Sequence, residues 1–171
     1  MIRKNKLLQL AVILILSCNA FAQERTWNTF SPENGEWSIL SPGTLTPDEE
    51  ASETKSTRGS YSYKDSNGFF AVIYRDAPKP LLFTRKSFEN AYYKKTLKDA
   101  VKAANGELTK DTEFSNGDIN GREFWIKTTY RVQRYRMFFN NDRFYMLLVV
   151  LPEDQINTPE INKYLNSFSF K

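Results

Sequence analysis

Histidine is absent from all 171 residues, and cysteine occurs once, at position 18. The first absence removes the commonest general base, the commonest metal ligand and any Ser-His triad. The second leaves everything after Cys18 without a disulfide, a zinc-binding thiolate or a thiol nucleophile. Long hydrophobic runs are missing as well. Leu7 to Leu16, broken only by Gln9, spans about 15 Å as a helix, half the hydrocarbon core of a bilayer. What chemistry remains is carboxylate catalysis or a Ser/Lys pair. The acidic residues are spread through turns and loops, with no pair forced to converge, so the expected function is non-catalytic. A hydrolase-type enzyme using carboxylates without histidine is the alternative.

The short apolar run has a job of its own. Arg3, Lys4 and Lys6 precede it without any acidic residue, and Ala20-Phe21-Ala22 follows as a small-x-small cleavage site. Residues 1–22 therefore read as a secretory signal cleaved after Ala22. Ile15-Leu16-Ser17-Cys18 is similar to a lipoprotein box, which would make lipidated Cys18 the first residue instead. Either route exports the protein, to the periplasm or the medium in the first case and to a lipid anchor in the second. Residues 23–171 suit a single domain with a full apolar core and no membrane span after cleavage. Without Arg3, Lys4 and Lys6, 21 basic residues face 20 acidic ones, a net charge of +1 in place of +4. That balance gives no bulk argument for nucleic acid or an anionic membrane.

Along the mature region most signals are strands. Thr26–Phe30 and Glu36–Leu40 flank the turn Pro32-Glu33-Asn34-Gly35. Residues 59–64 and 69–75 flank Asp65-Ser66-Asn67-Gly68, a hairpin turn with an Asn-Gly signal. Residues 107–114 and 121–128 flank Ser115-Asn116-Gly117-Asp118, and 133–139 and 144–151 flank Asn140-Asn141-Asp142. Repeated hairpins predict one mostly antiparallel sheet of six to eight strands over 26–170. Thr44 to Thr57 is polar and acidic and reads as a long surface loop. A helix is predicted from Ser87, its cap, to Asn105, with Gly106 just beyond and a stripe at Tyr93, Leu97, Ala100, Val101 and Ala104. A second begins at Thr158-Pro159 and runs to about Leu165. Phe144 to Leu151 is apolar at both parities, so it predicts an interior strand covered on both faces. The class is α+β, with layers on both sides of the sheet.

Phe30 to Gly43, ending in Pro42-Gly43, then Ile119-Asn120-Gly121-Arg122-Glu123-Phe124, then Tyr164-Leu165-Asn166-Ser167-Phe168 follow one another along the chain. They resemble the opening hairpin, the Gly-Arg-Glu-aromatic strand entry and the closing stretch of the PsbP-like superfamily, which includes the DcrB-type exported proteins. The resemblance implies an α/β/α sandwich around a mostly antiparallel sheet. It carries over no functional residue.

Candidate sites follow from the faces of strands and helices. Asn116-Gly117-Asp118-Ile119-Asn120-Gly121 imitates the start of a calcium loop, but Lys127 stands where the bidentate Glu belongs, so a polar hairpin turn is expected, with no metal. Glu123, Trp125 and Lys127 share one face of their strand, and Arg134 and Arg136 share one face of the next. If those strands pair in register, Trp125, Arg134 and Arg136 form a partly exposed binding patch, with Arg131 and Arg143 at its ends. The competing reading packs Trp125 beneath the second helix and pairs the arginines with carboxylates. Phe88, Ala91 and Tyr92 lie opposite the main helical stripe, either as a docking patch or packed under residues 79–83. The expected molecule is thus a monomeric accessory module of the cell envelope, needing no cofactor, whose partner is an unknown protein or a small anionic ligand, not nucleic acid.

Overall fold

A computed structural model describes residues 25–33, 35–48, 58–77 and 84–171. The expected cleavage site at Ala20 and Ala22 and the alternative lipidation site at Cys18 lie outside the described residues, as do 49–57 and 78–83.

The hairpins expected from local turn chemistry form. Strands β4 (Arg58–Lys64) and β5 (Phe69–Asp76) are joined through Asp65, whose Oδ1 accepts from the backbone N–H of Asn67 at 2.8 Å and of Gly68 at 2.6 Å. β6 (Glu107–Asn116) and β7 (Ile119–Lys127) pair up to Asn116 and Ile119. Only Gly117 and Asp118 remain for the turn, and Gly117 takes φ +58°. β8 (Val132–Asn140) and β9 (Arg143–Leu151) turn through Asn141, with φ +50°. The polar stretch from Thr44 is not wholly a loop, because β3 (Thr46–Pro47) pairs with β4.

Seven strands lie in the order β3-β4-β5-β9-β8-β7-β6, every neighbouring pair antiparallel. β9 sits at the centre between β5 and β8, as its two-sided apolar sequence requires. One expectation needs correction. β1 (Asn28–Phe30), β2 (Trp37–Ser41) and β10 (Ser169–Phe170) do not join the large sheet but form a separate three-stranded one. Trp37 and Ile39 on β2 point inward, and burying them against the main sheet demands a second layer.

Helix α1 (Arg85–Ala104) covers one face of the sheet. It starts two residues earlier than Ser87, because Thr84 Oγ1 accepts from the Ser87 N–H and acts as the cap. It ends with Asn105, not Gly106, in the left-handed conformation. Tyr93, Leu97, Ala100, Val101 and Ala104 pack on Phe124, Ile126, Tyr135, Met137 and Phe144. Phe88 and Tyr92 are half-buried against Phe139, at centroid distances of 6.0 and 5.4 Å, and residues 79–83, expected to cover them, lie outside the described residues. Ala91 stays exposed.

Helix α2 (Pro159–Asn166) and the small sheet cover the opposite face. Trp37, fully buried, stacks on Phe168 at 5.5 Å between centroids, and Tyr164 Oη donates to the Ala71 carbonyl at 3.2 Å. The result is an α+β domain, helices on both faces of a mostly antiparallel sheet.

Candidate functional site

The pairing of β7 with β8 places Trp125 opposite Arg134 and Glu123 opposite Arg136. The three residues singled out in the sequence therefore do meet. Their exposure is another matter: Arg134 is 4% and Arg136 8% exposed, and Glu123 between them is 3% exposed. The expectation of partly exposed arginines fails, for a reason that lies in α2. Arg134 Nη1 donates to Asn162 Oδ1 at 2.8 Å, and Arg136 Nη1 donates to Asn166 Oδ1 at 2.6 Å. The helix closes over both guanidinium groups and is held by them.

Glu123 is the hub of this cluster. It accepts from Arg136 Nε at 2.6 Å, Trp125 Nε1 at 2.9 Å, Arg134 Nη2 at 3.0 Å and Lys110 Nζ at 3.2 Å. Burial alone raises a carboxyl pKa. Here hydrogen bonds from Arg134 and Arg136, the Arg134 charge and the Trp125 N–H outweigh burial and bring Glu123 down to about 2. Burial pulls Arg134 below its usual value, against the pull of Glu123. Trp125 stays partly exposed, with the Lys110 ammonium 4.8 Å and the Arg134 guanidinium 5.1 Å from its ring. Both Glu123 oxygens and two nitrogens of each guanidinium are used internally, while Arg134 Nε is buried without a partner, so the cluster is a clasp between sheet and helix.

Among the described residues, two depressions bear on ligand binding. One, of about 550 Å³, lies at the end of the sheet, where Glu36, Asp76 and Asp142 share a cleft with Arg143, Tyr145 and Phe170. Arg143 pairs with both Glu36 and Asp76, and Arg85 with Asp142. Sequence reasoning saw these carboxylates only as scattered turn residues. Their convergence depends on strands far apart in the chain.

The other depression runs beside α1 and measures about 540 Å³. Its origin is geometric. One helix about 10 Å across covers two or three strands spaced about 4.8 Å apart. Centred on β7 to β9, α1 leaves the same face of β5 and the edge of β9 uncovered. The floor is Ile73, Met146 and Leu148, all half-buried, and the wall is Ala100 and Ala103. At one end the Arg75 guanidinium lies 5.0 Å from the Tyr92 ring and 5.3 Å from that of Phe144. The available signal was the pattern of β5: Arg75 ends a row that reads Phe69, Ala71, Ile73 on one parity.

No family model matches the sequence, and no curated protein matches it. Solved structures do. The solution structure of cyanobacterial PsbP (CyanoP) from Synechocystis sp. PCC 6803 superposes with a TM-score of 0.61 at 13% identity, covering 88% of this chain and 96% of that one. The fold is PsbP-like. The PsbP-like domain also aligns with the Saccharomyces cerevisiae Ran-binding protein Mog1p, at a TM-score of 0.48 and 10% identity over 85% of this chain and 96% of that one. A Pseudomonas aeruginosa protein of unknown function gives 0.47 at 7% identity, over 85% and 97%. At these identities the likeness concerns backbone architecture, and the site residues of this PsbP-like domain must be argued from its own geometry.

Proposed function

We propose that this chain is an exported, non-catalytic accessory module of the cell envelope, and that it works by binding in the groove between α1 and the sheet. The observation that carries the reading is the groove floor. Ile73, Met146 and Leu148, apolar residues of the adjacent strands β5 and β9, stay only half-buried beside α1. A concave apolar surface of this size is the usual form of a small-molecule or side-chain site. The basic n-region, short apolar run and Ala20-Phe21-Ala22 support export. Among the described residues no helix is long and apolar enough to cross a membrane. The binding partner sought from sequence at Trp125, Arg134 and Arg136 finds a better seat here, because those arginines are engaged with Glu123 and α2.

The hydrolase-type alternative draws on the sheet-end cleft and its three carboxylates. Arg143 sits between Glu36 and Asp76, and Arg85 against Asp142, so these carboxylates are matched with cations. This arrangement favours binding over acid–base work.

The test uses dodecyl maltoside, an uncharged amphiphile, below its micelle concentration. Saturable methyl shifts at Ile73, Met146 and Leu148, abolished by Ala103→Trp, are expected. Shifts scattered over the surface, or unchanged by Ala103→Trp, would overturn the groove as the binding site.

A further inference from the structure

Resting on that reading of the groove, we infer that its occupant is a free single-chain amphiphile with an anionic head, of the fatty-acid type, and that Arg75 receives the head.

Arg75 is set apart from the other arginines of this face. Arg85 is paired with Glu89 and Arg122 with Asp111, at 2.7 and 2.5 Å. Among the described residues Arg75 makes no ion pair and no hydrogen bond, and its Nε is buried without a partner. Its contacts are the faces of Tyr92 and Phe144. Two aromatic rings hold a guanidinium in place and strip its water while leaving its in-plane donors unused. A planar carboxylate is the partner those donors fit best, through two parallel hydrogen bonds.

The rest of the groove selects the tail. From Phe144 to Leu148 the floor runs roughly 13 Å along the strand, and the inward side chains are apolar. A peptide would lay a polar backbone group against this floor about every 3.3 Å, and Ile73, Met146 and Leu148 offer it no hydrogen-bond partner. A hydrocarbon chain carries no such groups. Among the described residues one carboxylate lines the groove, Asp99, and it is paired with Lys95 at 2.6 Å.

Calorimetric titration of the full chain tests this with sodium laurate, dodecyl maltoside and dodecyltrimethylammonium, all below their micelle concentrations. The expected result is one laurate per chain, bound at least tenfold more tightly than dodecyl maltoside, with the cationic amphiphile weakest. Arg75→Gln should bring laurate down to the level of dodecyl maltoside, and Arg75→Lys should keep part of the advantage. Equal binding of laurate and dodecyl maltoside by the unmodified protein overturns the head-group assignment and leaves the groove standing. A laurate preference that survives Arg75→Gln overturns it too. Failure of all three amphiphiles to bind overturns both the inference and the groove reading. Flotation with phosphatidylglycerol vesicles should leave the protein unbound; co-flotation that persists in Arg75→Gln places the charge effect on a membrane surface and overturns the proposal.

Discussion

Arg136 Nε donates to Glu123 Oε2 at 2.6 Å, and the two residues sit directly opposite one another on β8 and β7. The contact is buried, and Arg134 completes it from the next same-face position along β8. Removing the carboxylate alone leaves two buried cations facing each other. Glu123→Ala should therefore cost about 3–5 kcal/mol of stability, read as a fall in the denaturant midpoint. Glu123→Gln should lose much of the same amount, because a neutral amide cannot balance the charges. A midpoint within experimental error of the unmodified protein would remove Glu123 from the role of hub.

The same carboxylate makes acid stability predictable. Its folded-state pKa of about 2 lies below its ordinary value of 4.5. The stabilisation is therefore complete above about pH 4.5 and drains away as pH falls toward 2. Its size is on the order of 3 kcal/mol. Unfolding curves collected between pH 2 and pH 6 should show this slope, and Glu123→Gln should flatten it. A variant whose acid limb matches that of the unmodified protein would assign the slope to other carboxylates.

These two residues mark the boundary of what sequence makes legible. The pairing that aligns Glu123 with Arg136 was legible only as a condition, because β7 and β8 are joined by the short connection Thr128 to Arg131, while the strong turn signals, Asn116-Gly117-Asp118 and Asn140-Asn141-Asp142, mark the hairpins on either side. The central place of β9 was readable, because its residues are apolar at both parities. The burial of Arg134 and Arg136 was not, since the asparagines that cover them come from α2, 28 and 30 residues away along the chain. The small sheet was missed on the same ground: Phe170 on β10 pairs with Trp37 on β2, across most of the domain. The groove is still further from sequence. It follows from how many strands one helix can cover, and only the row from Phe69 to Arg75 hinted at it.

Trp37 should be the most sensitive single position of the core. It is fully buried, stacked on Phe168 and edge-on to Tyr61 and Tyr74. Trp37→Ala should cost about 3–5 kcal/mol through lost contact and the cavity left behind. Trp37→Phe should cost well under half of that, because it discards an Nε1–H that has no hydrogen-bond partner. Equal losses in the two variants would mean that the N–H is satisfied after all.

The leader has its own test. Intact-mass analysis of protein from the native host should find a chain beginning at Gln23, after cleavage at Ala22. Acylated Cys18 at the amino terminus would establish a lipid anchor instead. A full-length species kept inside the cell would end both versions and the envelope role with them.

Arg134 and Arg136 separate binding from structure most sharply. As a surface patch, the pair could be truncated with little change in melting temperature. As a clasp it cannot, because Asn162 and Asn166 lose their donors, Glu123 is left buried with Lys110 and Trp125 alone, and α2 loses its tether to β8. Arg134→Ala with Arg136→Ala should therefore lower the melting temperature by roughly 10 °C for a domain of this size. A third substitution decides whether the clasp is stabilising in itself. Buried ion triads replaced as a unit by apolar side chains of similar volume are often neutral or more stable by about 1–4 kcal/mol. Glu123→Leu with Arg134→Met and Arg136→Met should thus recover most of the loss, and Asn162 and Asn166, which are not fully buried, can turn to water. If the triple variant is as unstable as the double one, the charges are specifically required to seat α2. If the double variant melts with the unmodified protein, the arginines return to the surface and to the search for a partner.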